Sequence, residues 1–157
     1  MAYATLQNLK DRLGSSTSPV GMYQRLTDRV SMATANDAVG QELVDQAQGV
    51  VNGYLAGRYL TPVDVSADTT LAVTLRDLTL AIAAFKAYAS HPLLAAQVAP
   101  AVRAAYDEAI SLLKRIADGA AALPGAAEIP SPVSSGSPAT AVGSPRVTTD
   151  GNMAGMW

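Results

Sequence analysis

The sequence predicts an all-α protein, a small bundle of four to five helices followed by a long extended C-terminal arm. Apolar residues recur with helical spacing before Gly119, and no run of alternating residues competes with them. Capping residues and prolines stand where those stretches begin. After Gly119 the chain is rich in proline, glycine, serine, alanine and threonine, which is typical of a segment that cannot fold alone. We therefore divide the chain into a helical domain, 1–118, and an arm, 119–157.

The first two predicted helices are short. The first covers about 5–13 and stops at Gly14, because glycine readily takes the backbone conformation that ends a helix. Its three leucines share one face: Leu6, Leu9 and Leu13. The second opens at Ser18 and Pro19, an N-cap followed by proline at the first helical position, and runs to Leu26. Each helix is expected to bury one apolar face.

Three longer helices follow. The third covers about 38–57 and keeps one apolar face. The fourth runs from the cap Asp68 to about Ala89 and is apolar on nearly all sides, so it should lie at the centre of the bundle. The last begins at Pro100 and closes at Gly119. The chain is 49% hydrophobic, which is ample for a single core at this length.

Glycines recur every four residues in the third helix, at Gly49, Gly53 and Gly57. At that spacing they line one side of the helix, beside its apolar face. A glycine inside a helix costs roughly 1 kcal/mol relative to alanine, so a strip of them favours a surface that another backbone approaches closely. We assign close packing against another backbone to these glycines. The alternative, that Gly57 is only a C-cap and the other two are tolerated, stays open.

Residues able to carry out chemistry are few. The chain has no cysteine and one histidine, His91, which precedes a proline at a helix end and is interpreted as a capping or surface residue. Two charged pairs, Arg76–Asp77 and Asp107–Glu108, are adjacent in sequence, so their side chains point in different directions and form no acid–base pair. We therefore predict no enzymatic activity, no cofactor and no metal site.

Charge and hydropathy exclude further classes. The net charge is −2 and the basic residues are scattered, which argues against a protein that grips nucleic acid through its field. The N-terminal stretch is polar and helical in pattern, unlike a secretory signal. The most apolar run, 78–85, is too short to cross a bilayer. We expect a soluble protein that is made in the cytoplasm.

The far end of the arm carries residues that favour a partner. Met153, Met156 and Trp157 are large apolar side chains of the kind that anchor in a partner's pocket, and Trp157 is the only tryptophan of the chain. Val147 and Thr148 belong to a β-prone stretch that could add a strand to a neighbouring sheet. The alternative, an arm without order or function, stays open.

Five segments of the chain resemble, in their order, one known family. They are MAYATLQNL at 1–9, RLTDR at 25–29, DAV at 37–39, GYLAGRY at 53–59 and AYDEAISLLKRIADG at 105–119. The family is that of the small head-tail adaptor proteins of Mu-like phages. The resemblance covers most of 1–119 and leaves the arm outside it.

The resemblance implies a structural virion protein, a subunit of a ring that docks beneath the portal in the neck, at the head-tail junction. The ring is expected to be a dodecamer, assembled in the host cytoplasm, that joins capsid to tail and leaves a channel through which DNA passes without specific binding. Its partners would be further copies, the portal protein, and a stopper or tail-completion protein. The glycines, Arg58 and Tyr59 would serve packing within the subunit or between neighbours. Two other classes stay open, a small helical nucleic-acid-binding regulator and an enzyme assembled from distant carboxylates.

Overall fold

The computed structural model describes residues 2–14, 21–28, 30–31 and 34–130. Within these ranges the chain forms five α-helices and no strand, which confirms the all-α prediction. They are α1 (Leu6–Leu13), α2 (Met22–Thr27), α3 (Asp37–Leu55), α4 (Thr69–Ser90) and α5 (Pro100–Ala117). A single turn of 3-10 helix, Ala95–Gln97, lies between α4 and α5.

Local capping explains where three of the helices begin. The Thr5 side chain accepts the N–H of Asn8, and the Asn8 side chain accepts the N–H of Thr5, so α1 opens with a reciprocal capping box. Asn36 caps α3 through the N–H of Val39. Asp68 caps α4 by accepting two backbone N–H groups, as the sequence predicted.

Two predicted boundaries differ from the structure. The opening of the second helix at Ser18 and Pro19 lies outside the described residues, and the described helix begins at Met22. The third helix ends at Leu55, so Gly57 lies in the following turn and not on the helix. There the carbonyl of Leu55 accepts the N–H of Tyr59 at 2.8 Å, because the chain turns back on itself.

The fourth helix is the centre of the bundle, as its apolar surface predicted. It contacts each of the other α-helices, with α3 and α5 as its main neighbours. Leu75, Ile82 and Ala83 on it are fully buried. On the side toward α5, the ring of Phe85 stacks on that of Tyr106 with 4.1 Å between centroids. Most of the core therefore forms around this one helix.

Gly40 is the glycine that the packing of the first three helices requires. A Cβ built there would overlap the hydroxyl of Tyr23 and lie 2.8 Å from Leu6 Cδ1. That hydroxyl donates to Asp37 Oδ1 at 3.1 Å, and Lys10 Nζ binds Asp37 Oδ2 at 2.9 Å. Burial, followed by the hydrogen bond and charge of Asp37, raises the pKa of Tyr23. The hydrogen bond from Lys10, followed by that from Tyr23, lowers the pKa of Asp37.

The single histidine is fully buried, which corrects the interpretation of His91 as a surface residue. It does cap α4: its backbone N–H bonds to the carbonyl of Tyr88, and its Nδ1 accepts the N–H of Leu93 at 3.2 Å. The chain then folds back, so that the N–H groups of Leu94 and Ala95 donate to the His91 carbonyl. This return of the chain covers the ring, and the proline after it gave no sign of that in the sequence.

Candidate assembly site

Two of the three predicted packing glycines form an open strip on α3. Gly49 and Gly53 are exposed, and a Cβ added to either would meet nothing within 4 Å. The fold of the chain therefore does not need these glycines, and their strip on α3 is open to solvent. Gly57 has open space as well, but it is not the C-cap of α3: Ala56 is, and the φ of Gly57 is not left-handed.

Arg58 binds the first residues of the arm. Its Nε and Nη2 lie 3.1 and 2.9 Å from Glu128 Oε1, and its Nη1 donates to the carbonyl of Ala121 at 3.2 Å. A planar guanidinium can hold a carboxylate and a carbonyl together in this way, whereas a lysine ammonium lacks the fork. We call residues 119–130 the arm base.

Tyr59 binds the arm base from the core. Its side chain is only 1% exposed, and its hydroxyl accepts the N–H of Leu123 at 3.0 Å. Next to it, Leu60 N–H donates to the carbonyl of Ala127, and Ile129 N–H donates to the carbonyl of Arg58. These bonds flank the isolated antiparallel bridge between Tyr59 and Glu128. Tyr59 therefore packs within its own chain, one of the two alternatives stated for it, and packing between neighbouring chains stays a prediction for the other residues of the set.

The arm base is also fixed at the start of α4. Gly125 takes φ +82° beside the cap Asp68, and a Cβ there would lie 2.7 Å from Asp68 Oδ2. Leu123 is buried among the core residues of the bundle. The arm base therefore lies against the end of α3, the start of α4 and the end of α5. Its sequence, rich in alanine and without a long apolar run, gave no signal of this packing.

The predicted partner-binding residues lie outside the described residues: Val147, Thr148, Met153, Met156 and Trp157. Their role in binding stays a prediction. The last described residue, Pro130, comes shortly after Glu128, which is bridged to Tyr59. Two apolar side chains beside this bridge, Leu60 and Ile129, are 55% and 41% exposed.

A groove runs between α4 and α5, next to the end of α1. Two cavities of about 330 and 190 Å³ share Arg12, Ala81 and Ala105 in their lining, so they form one continuous depression. Much of its floor is formed by alanines, and because their side chains are small the groove between the two helices stays open. Asp77 and Glu108 stand along the larger cavity. We call this surface the α4–α5 groove.

Charged residues that the sequence singled out lie on the surface. Arg76 Nε is 3.7 Å from Asp77 Oδ1, and Asp107 and Glu108 are exposed on α5. Over residues 2–14, 21–28, 30–31 and 34–130, no three histidine, aspartate or glutamate side chains come together as metal ligands would. Within the same part of the chain, no helix combines the length and the apolar character that crossing a membrane requires.

Comparison with known protein families identifies this small helical protein as a bacteriophage protein. A model of the family described as bacteriophage Mu, Gp36 matches residues 3–142, so the chain belongs to this family. It is a Mu-like phage protein related to the structural proteins of the virion. The match extends past Gly119 and includes the arm base, whereas the resemblance in the sequence ended there. Comparison with curated proteins gave no match.

Proposed function

We propose that the chain is a head-tail adaptor subunit, which forms an oligomeric ring below the portal, joins the capsid to the tail and leaves a channel for DNA. The observation that carries the proposal is the arm base, fixed to the bundle by Arg58 and Tyr59. A segment anchored so firmly gives the residues beyond it a defined origin on the subunit. Membership in the Mu Gp36 family supports a role in the virion.

The ring wall is the helical bundle. A ring closes when one surface of each subunit meets a different surface of the next, and the same contact repeats. The open strip at Gly49 and Gly53 supplies one of the two surfaces, because it admits a neighbouring backbone without displacing any side chain of its own subunit. A dodecamer is the expected closure, from the resemblance to adaptor proteins.

The arm is the contact with other virion proteins. Val147 and Thr148 pair with a strand of the partner, and Met153, Met156 and Trp157 enter its pockets. The portal is the primary partner, and a stopper or tail-completion protein binds the opposite side of the ring. The protein acts by binding alone, without catalysis. A net charge of −2 suits a conduit through which DNA slides without adhering.

The test of the ring is the mass of the purified protein, alone and with the portal protein of the same phage. We expect a ring in at least the mixture. Gly53→Gln fills the open strip and should abolish the ring while the helical circular dichroism is kept. The matched control is Ala104→Gln, the same change at an exposed site on α5. A protein that stays monomeric at all ratios to portal contradicts the proposal.

The test of the arm is deletion of residues 147–157. The shortened chain should keep its helices, because the described core is built from residues between Tyr3 and Leu123, and should lose incorporation into particles. Full incorporation of the shortened chain would defeat the role of the arm and leave the ring unaffected.

A further inference from the structure

We propose that the α4–α5 groove of the free protein holds residues 152–157 of its own chain, with Met153, Met156 and Trp157 against the alanine floor. The inference goes beyond the adaptor role and does not depend on it. It joins two observations: a groove with an alanine floor that no described segment covers, and a largely apolar hexapeptide without charged side chains, Asn-Met-Ala-Gly-Met-Trp, in the same chain.

The groove and the segment agree in size. From Val73 to Ala84 the groove follows twelve residues of α4, about 17 Å at the helical rise. Six extended residues span about 20 Å. The floor residues Ala81, Ala105 and Ala109 have the smallest side chains that a helix face offers, apart from glycine. Methionine adapts to irregular apolar gaps of this kind, and tryptophan buries more apolar surface than other residues.

The arm base lies at one end of the groove. Leu123 and Pro124 line a cavity of about 210 Å³ that shares Thr74 and Leu112 with the larger cavity of the groove. The depression is therefore continuous from the arm base to Ala84. The segment in question is tethered beside the site that we propose for it.

The chain between the two points is long enough. Residues 131–151 are 21 residues, which reach at most about 70 Å when extended. A coil of that length has a root-mean-square span of about 25 Å, close to the length of the groove. A tether of this kind raises the effective concentration of its end to about the millimolar range, so a weak contact suffices for occupancy. Burial of two methionines and a tryptophan removes apolar surface from water, which favours occupancy of the groove.

Trp157 provides the measurement, because it is the only tryptophan of the chain. In the full-length protein at low concentration we expect blue-shifted emission and protection from acrylamide. Ala105→Gln fills the groove and should move the emission to that of free indole, with quenching increased severalfold. Ala104→Gln, one residue away and exposed, should leave both unchanged.

Circular dichroism reports whether Ala105→Gln has kept its helices. If it has not, Val73→Lys gives the answer instead, since Val73 is 44% exposed and lines the groove without supporting the core. Three results overturn the inference: native emission like that of free indole, a blue shift that survives both variants, or a blue shift that fades on dilution. The last would mean that a second copy supplies the segment. None of these readouts depends on portal or ring, so a failure here is distinct from a failure of the adaptor role.

Discussion

At the scale of residues, the regular pattern of glycines and the glycine that the fold needs are different things. Gly49, Gly53 and Gly57 recur at helical spacing, yet each faces open space. Gly40 belongs to no pattern, yet the Tyr23 hydroxyl occupies the place where its Cβ would be. Periodicity in a sequence reports which residues share a face of a helix. It does not report which face another helix covers, and that depends on contacts between distant residues.

Gly40→Ala should destabilise the protein. The new Cβ displaces Tyr23 and breaks its hydrogen bond to Asp37, and overpacking of this kind costs about 1–3 kcal/mol. Urea denaturation followed by circular dichroism measures the change. Gly49→Ala is the matched control: it replaces an exposed glycine inside the same helix and should stabilise the protein by up to about 1 kcal/mol. Equal effects of the two substitutions would contradict the packing described for Gly40.

Asp37 should make stability depend on pH in the acid range. Lys10 and Tyr23 lower the pKa of Asp37 below its ordinary value of 3.8. A carboxyl with a lowered pKa in the folded state contributes stability that is present above 3.8 and is lost as the pH falls through the folded value. In Asp37→Asn the loss of stability below about pH 4 should therefore be shallower than in the native protein. Asp107→Asn, a change at an exposed carboxyl of α5, serves as the control, and denaturant midpoints from pH 7 to pH 2 give the comparison.

At the scale of elements, the sequence predicted features that depend on neighbouring residues and missed contacts between residues that are far apart in the chain. Thr5 and Asp68 mark helix starts because a cap acts within three residues of itself, and Pro100 marks one because proline suits the first helical position. The apolar surface of the fourth helix likewise predicted its central place. The arm base was missed because Arg58 meets Glu128 across 70 positions of the chain, and no periodicity records such a contact. The open strip on α3 was found, while its use by a neighbour remains a prediction.

Tyr59→Phe should loosen the arm base and leave the helices intact. The change removes the hydroxyl that accepts the N–H of Leu123, a hydrogen bond worth about 0.5–1.5 kcal/mol. Hydrogen exchange at the Leu123 amide should therefore become up to about tenfold faster. Tyr106→Phe is the control, because the ring of Tyr106 stacks on Phe85, far along α5 from this segment. Unchanged exchange at Leu123 would show that the hydroxyl does not hold the arm base.

Arg58→Lys should also loosen the arm base, because it weakens the contact with the side chain of Glu128. A lysine keeps the positive charge and loses the fork that reaches both Glu128 and the Ala121 carbonyl. The amides of Leu60 and Ile129 should then exchange faster, whereas those in the middle of α4 should not. Limited proteolysis near Pro130 offers an independent readout, since a loosened arm base exposes more backbone.

At the scale of the whole molecule, one central helix makes the bundle a cooperative unit. Because α4 contacts every other α-helix, a perturbation of α4 reaches the packing of all of them. Leu123 is buried in the core of the bundle, so the arm base belongs to the same unit. The proposed ring and the proposed groove both use the outside of this unit and leave its core alone.

Ile82→Ala should lower the stability of all helices together. Ile82 is fully buried on α4, and truncation of a buried isoleucine to alanine costs about 2–5 kcal/mol. Helical circular dichroism and the near-ultraviolet signal of the tyrosines should show the same lowered midpoint. Val73→Ala on the same helix is the control, since Val73 is 44% exposed and lies outside the core, so its truncation should cost little. Separate transitions for the two signals would contradict a single cooperative unit.

The bridge between Tyr59 and Glu128 also decides how the molecule bears mechanical load. Force applied to the chain beyond Pro130 acts first on the backbone hydrogen bonds of Leu60 and Ile129 and on the ion pair between Arg58 and Glu128. The force reaches the helices only after these bonds have broken. Under force the arm base is therefore expected to detach first, lengthening the chain by its twelve residues, 119–130, before the helices begin to unfold.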